Sequence, residues 1–238
     1  MHTRLVATAV SASLLLATAV PARAGADVMT IQMREHGAAA NFTNIPGFLS
    51  DEPVETLPGR YYFITVSAGV GEASGHNYPG SSKDTAWISY TEWKVDRKGD
   101  WSQVIDWAGA ALDGAAGLDM AQNAGSATLT ASMPVGYCAE YASEDAGGNC
   151  LKYVWVGTAD VDLEWTPTTG LLSGTSTESW GVPSEWQYVS RYSGHYRDAS
   201  VSGHLTLPGA APQDVSSPLG TIYLRAIGEM DLYVTSGH

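Results

Sequence analysis

Apolar and acidic residues take strict turns along Asp160-Val161-Asp162-Leu163-Glu164-Trp165. On a strand, whose side chains alternate between faces, this order sets carboxylates on one side and apolar groups on the other. The same period of two marks residues 28–33, 61–68, 86–95, 103–108, 127–133, 153–165, 186–192, 199–207, 222–226 and 231–235. Breakers separate these runs: Pro58-Gly59, Pro79-Gly80, Pro134, Pro208-Gly209 and Gly220. Asp96 to Asp100, around Arg97-Lys98-Gly99, reads as a charged hairpin turn.

Residues 107–124, rich in alanine and glycine, are expected to be loop, as Gly109, Gly114 and Gly117 weaken any helix there. Residues 35–57 and 209–219 read as irregular. Many short strands without a long amphipathic helix predict an all-β fold, an antiparallel β-sandwich or, as the alternative, a barrel-like β domain. Trp87 and Trp93, Trp101 and Trp107, and Trp180 and Trp186 are each six apart, which places each pair on one face of an unbroken strand.

The N-terminus changes the picture of where this domain works. Arg4, an apolar stretch from Leu5 to Val20, and Ala22-Arg23-Ala24 follow the order of a secretory signal peptide with an A-x-A cleavage site. The expected organisation is a leader over 1–24 and a single secreted domain over 25–238. Removing the leader takes away Arg4 and Arg23 and no acid, so the formal charge deepens from -13 to -15. That charge, with scattered lysines, argues against nucleic acid and anionic membranes as partners. The apolar stretch is interrupted by Thr8, Ser11, Ser13 and Thr18, so no membrane span is expected. In an oxidising compartment the two cysteines, Cys138 and Cys150, are expected to form a disulfide.

Ala127-Thr128-Leu129-Thr130, Pro134, Cys138, Cys150 and Val161 to Thr166 resemble a pattern in uncharacterised exported all-β proteins of actinobacteria, over roughly residues 127–207. The resemblance implies a β-sandwich and an exported life, and it carries no activity.

Candidate chemistry is sparse. Ser-Gly-His recurs, ending at His76, His195, His204 and His238, where composition predicts on the order of a tenth of a case. Imidazoles in such turns are candidate zinc or copper ligands, and His76, His195 and His204 are the metal candidates. Asp160, Asp162 and Glu164 invite a calcium or glycosidase reading, but alternate strand residues lie about 6.6 Å apart, and a solvated strand face explains them. Gly69-x-Gly71 lacks the helix that dinucleotide binding needs, and no G-x-S-x-G occurs. No cofactor is therefore assigned.

Eight tryptophans and twelve tyrosines against three phenylalanines favour rings with a polar edge. Trp180, Trp186, Tyr188, Tyr192 and Tyr196 concentrate near His195 and form the candidate binding set. Two expectations follow. The first is a non-catalytic secreted β-sandwich that binds a glycan, a cell-wall component or a protein through Trp/Tyr-rich loops. The second is an extracellular metal- or carboxylate-dependent hydrolase using the Ser-Gly-His histidines.

Overall fold

The computed structural model describes residues 29–48, 56–76, 85–111, 115–141, 150–182 and 186–234, so the expected leader falls outside the described residues. They form one antiparallel sheet: β1 (Met29–Thr43), β2 (Gly59–His76), β3 (Thr85–Val95), β4 (Trp101–Ala111), β5 (Ala116–Met120), β6 (Ala127–Tyr141), β7 (Cys150–Pro167), β8 (Leu172–Val182), β9 (Trp186–Thr206) and β10 (Gln213–Val234). The ladder runs β1-β2-β3-β4-β6-β7-β9-β10, and β10 pairs again with β1. It closes on itself, which is the barrel form of the two all-β arrangements expected. β5 extends the line of β4 against β6, and β8 extends the line of β7 against β9, giving eight staves in chain order.

Alternation explains the interior. Ala159, Val161, Leu163 and Trp165 of β7 are buried, while Asp160, Asp162 and Glu164 between them are exposed. Leu129, Ala131, Met133 and Val135 of β6 and Ala199, Val201 and Leu205 of β9 fill the same core. An eight-stranded barrel has an interior just wide enough to be filled by side chains, and alanines at positions 38, 40, 68, 86 and 111 fit that limit. Acids outside and apolar groups inside are the reverse of a lipid-embedded barrel, whose outer band is apolar. No helix among the described residues is long and apolar enough to cross a membrane.

The seam between β10 and β1 is the irregular part of the wall. β10 is bulged at Pro218 and Leu219, which together oppose the single Ser200 of β9 as the register steps from Ser217 to Gly220. Its pairing with β1 ends at Ala40–Gly220. Side chains take over there: Ser217 Oγ donates to the Asn41 carbonyl at 2.5 Å, and Trp165 Nε1 reaches the Ala39 carbonyl at 2.8 Å. Gly220 leaves room for the indole, since a Cβ there would lie 3.1 Å from Trp165 Cδ1 and 2.4 Å from Val201 Cγ2.

Three local expectations are corrected. Residues 107–124 are largely strand: β4 runs on to Ala111, β5 follows, and only a 3₁₀ turn at Gln122–Ala124 is helical. Alanine and glycine at inward positions hid the alternation there. The irregular stretches are shorter than expected, because β1 extends to Thr43 and β10 begins at Gln213. Trp101 and Trp107 differ sharply, 45% against 6% exposed, because Val104 is an extra residue that shifts β4 against β3 between Gln103 and Ile105.

Trp165→Phe keeps the ring but removes the indole's hydrogen bond to the Ala39 carbonyl, so urea unfolding should show a loss of about 0.5–1.5 kcal/mol. Trp165→Ala should cost about 3–5 kcal/mol. Equal midpoints for wild type and Trp165→Phe would mean that the seam does not rely on the indole N–H.

Candidate binding surface at the open end of the barrel

The end of the barrel reached by β4's start and β6's finish is not closed by strand pairing. β4 meets β6 only through Ala108–Gly136 and Gly109–Val135. Beyond that point the β6–β7 hairpin leaves the wall, and its register explains why. Val156, Ala139 and Leu151 are extra residues that successively interrupt the pairing. Each bulge bends its strand and increases the local twist. β9 pairs with β7 only from Asp160 to Pro167, so among the described residues 150–158 have no strand partner on that side.

Two devices hold the arm. Cys138 and Cys150 are disulfide-bonded, with Cα atoms 5.7 Å apart, as the cysteine count predicted. Closing this short loop stabilises by roughly 3 kcal/mol in the chain-entropy picture. Tyr153 lies over Gly136, where a Cβ would fall 2.5 Å from its ring, and its hydroxyl donates to the Ala108 carbonyl at 3.1 Å. Burial pushes the Tyr153 phenol above its ordinary range, so it remains a donor at neutral pH.

The divergence exposes large apolar side chains. On the arm these are Tyr137, Leu151, Tyr153, Trp155 and Val156, with Leu151 and Trp155 about two-thirds exposed, at 64% and 66%. The Tyr153 and Trp155 rings meet edge to face at 4.8 Å. Across the gap every residue from 101 to 106 of β4 is exposed, including Trp101, Val104 and Ile105. An exposed apolar patch of this extent marks an interaction site more often than a bare surface.

Inside the same opening, Tyr62, Tyr90 and Trp107 stack, with centroids at 6.4 and 5.2 Å. Tyr90 donates its hydroxyl to Glu92 Oε2 at 2.7 Å, and Arg60 pairs with Glu92 Oε1. The Tyr90 hydrogen bond, aided by Arg60, holds the Glu92 carboxyl below the usual range against the opposing effect of burial. Burial and the neighbouring carboxylate push the Tyr90 phenol up. This network anchors the inner wall of the opening.

The predicted site residues lie elsewhere. Trp186, Tyr188, Tyr192 and Tyr196 fall at alternate positions of β9, with Trp180 of β8 opposite Tyr188. The side chains of Trp180, Trp186, Tyr188 and Tyr192 are outside the described residues; Tyr196 is half-buried. His76 ends β2 opposite Thr30, and its side chain is also outside the described residues. His195 and His204 are nine residues apart on β9, an odd spacing that sets them on opposite faces roughly 30 Å apart. Each has a local partner: His195 Nδ1 lies 3.0 Å from Ser173 Oγ, and His204 Nδ1 lies 2.7 Å from Asp214 Oδ1. No group of three or more His, Cys, Asp or Glu among the described residues is arranged to hold a metal ion.

His204 borders an open outer groove of about 430 Å³ with Thr130, Ser132, Asp160, Asp162 and Thr206. Ser132 Oγ donates to Asp160 at 2.6 Å there. The acidic row is thus a solvated face laced to neighbouring hydroxyls. The exposed arm escaped sequence reasoning, although Tyr153-Val154-Trp155-Val156 carried a signal: four consecutive large apolar residues where the next segment alternates cleanly.

No protein-family model matches this chain, and no curated protein or solved structure is significantly similar to it.

The lowered Glu92 carboxyl fixes the sign of a pH effect. Its stabilising contribution is complete above the ordinary carboxyl range and is lost as pH falls through the folded-state value. Tyr90→Phe removes the largest cause of that lowering, so acid unfolding should begin at higher pH than in wild type. Thermal melts from about pH 7 down to about pH 2 check this. Superimposable acid limbs would exclude a role for the Tyr90–Glu92 bond.

Proposed function

We propose that this chain is a secreted, non-catalytic binding protein that docks an extracellular polypeptide at the open end of its barrel. The observation that carries the reading is the exposed apolar surface of the β6–β7 arm and the facing β4 segment, bordered by strand edges without partners among the described residues. The leader-like N-terminus and the Cys138–Cys150 bridge support an extracellular setting.

Two features favour a polypeptide over a glycan. Sugars stack on aromatic rings, but Leu151, Val156, Val104 and Ile105 are aliphatic and gain by meeting apolar side chains. Unpaired strand edges are matched by another backbone, as in strand addition. The aromatic pair Tyr153–Trp155 keeps a neutral glycan or cell-wall fragment as the second reading. A hydrolase would need its histidines convergent, and His195 and His204 stand on opposite faces of β9.

Panning a peptide-display library on the disulfide-bonded protein, with a glycan array in parallel, separates these readings. Peptides with alternating apolar residues should be enriched by wild type, and Ile105→Glu and Trp155→Ala should each weaken capture about tenfold or more, as is typical of a central aromatic anchor. Glycan retention that depends on Trp155, without peptide enrichment, would replace the polypeptide by a sugar.

A further inference from the structure

We infer that the edge of β7 on the arm, which has no strand partner among the described residues, pairs with the same edge of a second copy of this chain, giving a two-fold symmetric dimer. The inference rests on the reading of the open end as a polypeptide-docking surface and names one occupant of it.

Residues 150–156 are the part of β7 available for such pairing. From Asp160 onward β9 occupies that edge, and Pro208 lies beside Gly157. An antiparallel, isologous contact needs a segment that is complementary to itself when reversed. Centred on Tyr153, whose ring stays over Gly136 with its hydroxyl on the Ala108 carbonyl, the run sets Leu151 against Trp155 on either side. Directly opposed aromatic–aromatic and aromatic–aliphatic pairs are the stabilising unit of a sheet. Leu151 and Trp155 are two of the most exposed apolar side chains of the described residues, at 64% and 66%, so this register covers what the single chain leaves in water.

Area and charge agree with this occupant. Leu151, Tyr153, Trp155 and Val156 of β7 expose on the order of 400 Å² of side chain. With the backbone edge and flanking atoms, that approaches the roughly 800 Å² per partner of a stable interface. The chain carries a formal charge of -13, which opposes self-association over most of its surface. Residues 150–158 contain one lysine, Lys152, and no acid, so two copies meet there with the least repulsion. Pairing also removes a strand edge that would otherwise invite uncontrolled association.

Sedimentation analysis of the disulfide-bonded protein at about 100 µM, a concentration that reports any Kd in the micromolar range, provides the test. Wild type should sediment as a dimer, and Leu151→Glu and Trp155→Lys should each sediment as monomers with unchanged circular dichroism. Mixing these two variants should restore a dimer, because the register sets the introduced carboxylate of one copy against the introduced ammonium of the other. Leu172→Glu, an exposed apolar position on β8 outside the docking surface, should leave the dimer intact. A monomeric wild type, single variants that remain dimeric, or a mixture that stays monomeric would each overturn the proposal. A monomeric wild type that still enriches peptides would end the dimer and retain the docking surface. Failure of both assays would end both readings.

Discussion

The β10–β1 ladder closes the barrel, and a tryptophan on β7 braces the end of that ladder by reaching the backbone of β1 across the core. Trp165 is fully buried, and its indole N–H serves the Ala39 carbonyl next to the point where the β10–β1 ladder stops. A buried hydrogen bond contributes about 0.5–1.5 kcal/mol net, and side chains brace the seam where the ladder stops. Trp165 and Ser217 do so from opposite sides of the β10 bulge, and Gly220 leaves the indole its path. The remaining wall joins strands that are next to each other in the sequence or separated by one strand, so the closure of β10 on β1 is its longest-range pairing.

Locking the wall on one side leaves the other free to open. The Ala, Val and Ile rows between β1 and β3 are complete, and their last layer is the Tyr62–Tyr90–Trp107 stack with its Glu92 anchor. Past that layer β4 loses β6, and the hairpin arm turns outward through its three extra residues. A two-stranded ribbon is marginal by itself. Here a disulfide and the Tyr153–Ala108 hydrogen bond hold it where packing does not. The cost of presenting the arm is met by covalent and polar ties, which leaves its apolar side chains uncommitted.

What the sequence made legible follows from this division. Strands with one buried and one wet face announce themselves, and Asp160 to Trp165 is both the clearest run in the chain and a half-buried stave. The disulfide was legible from compartment and count. Residues 107–124 were misread because the interior is narrow: Ala111 and Ala116 point inward, and alternation between alanine and glycine carries almost no hydropathy signal. Bulges were invisible, since one extra residue such as Val104 is defined only by the partner strand. The even spacing of Trp101 and Trp107 therefore promised a shared face that register abolished. The candidate site was missed for the same reason: aromatic density drew attention to β8 and β9, whereas exposure on the arm depends on where pairing ends.

Charge explains why the exposed surface sits where it does. The outer faces of β6, β7 and β9 form rows of hydroxyls flanking carboxylates, such as Thr128, Glu164 and Ser202, which are directly opposed across the ladder. Water solvates such a wall well, and its field keeps like molecules apart. Eight-stranded closure removes sheet edges along most of that wall, and the unpaired edge left on β7 falls in the segment from which acids are absent. An arm carrying aliphatic, aromatic and unpaired backbone groups on an otherwise repulsive surface restricts both the place and the orientation of contact. Acidity of the body and the absence of acids from residues 150–158 are thus two halves of one constraint, in which most of the surface repels like molecules and one short strand segment does not.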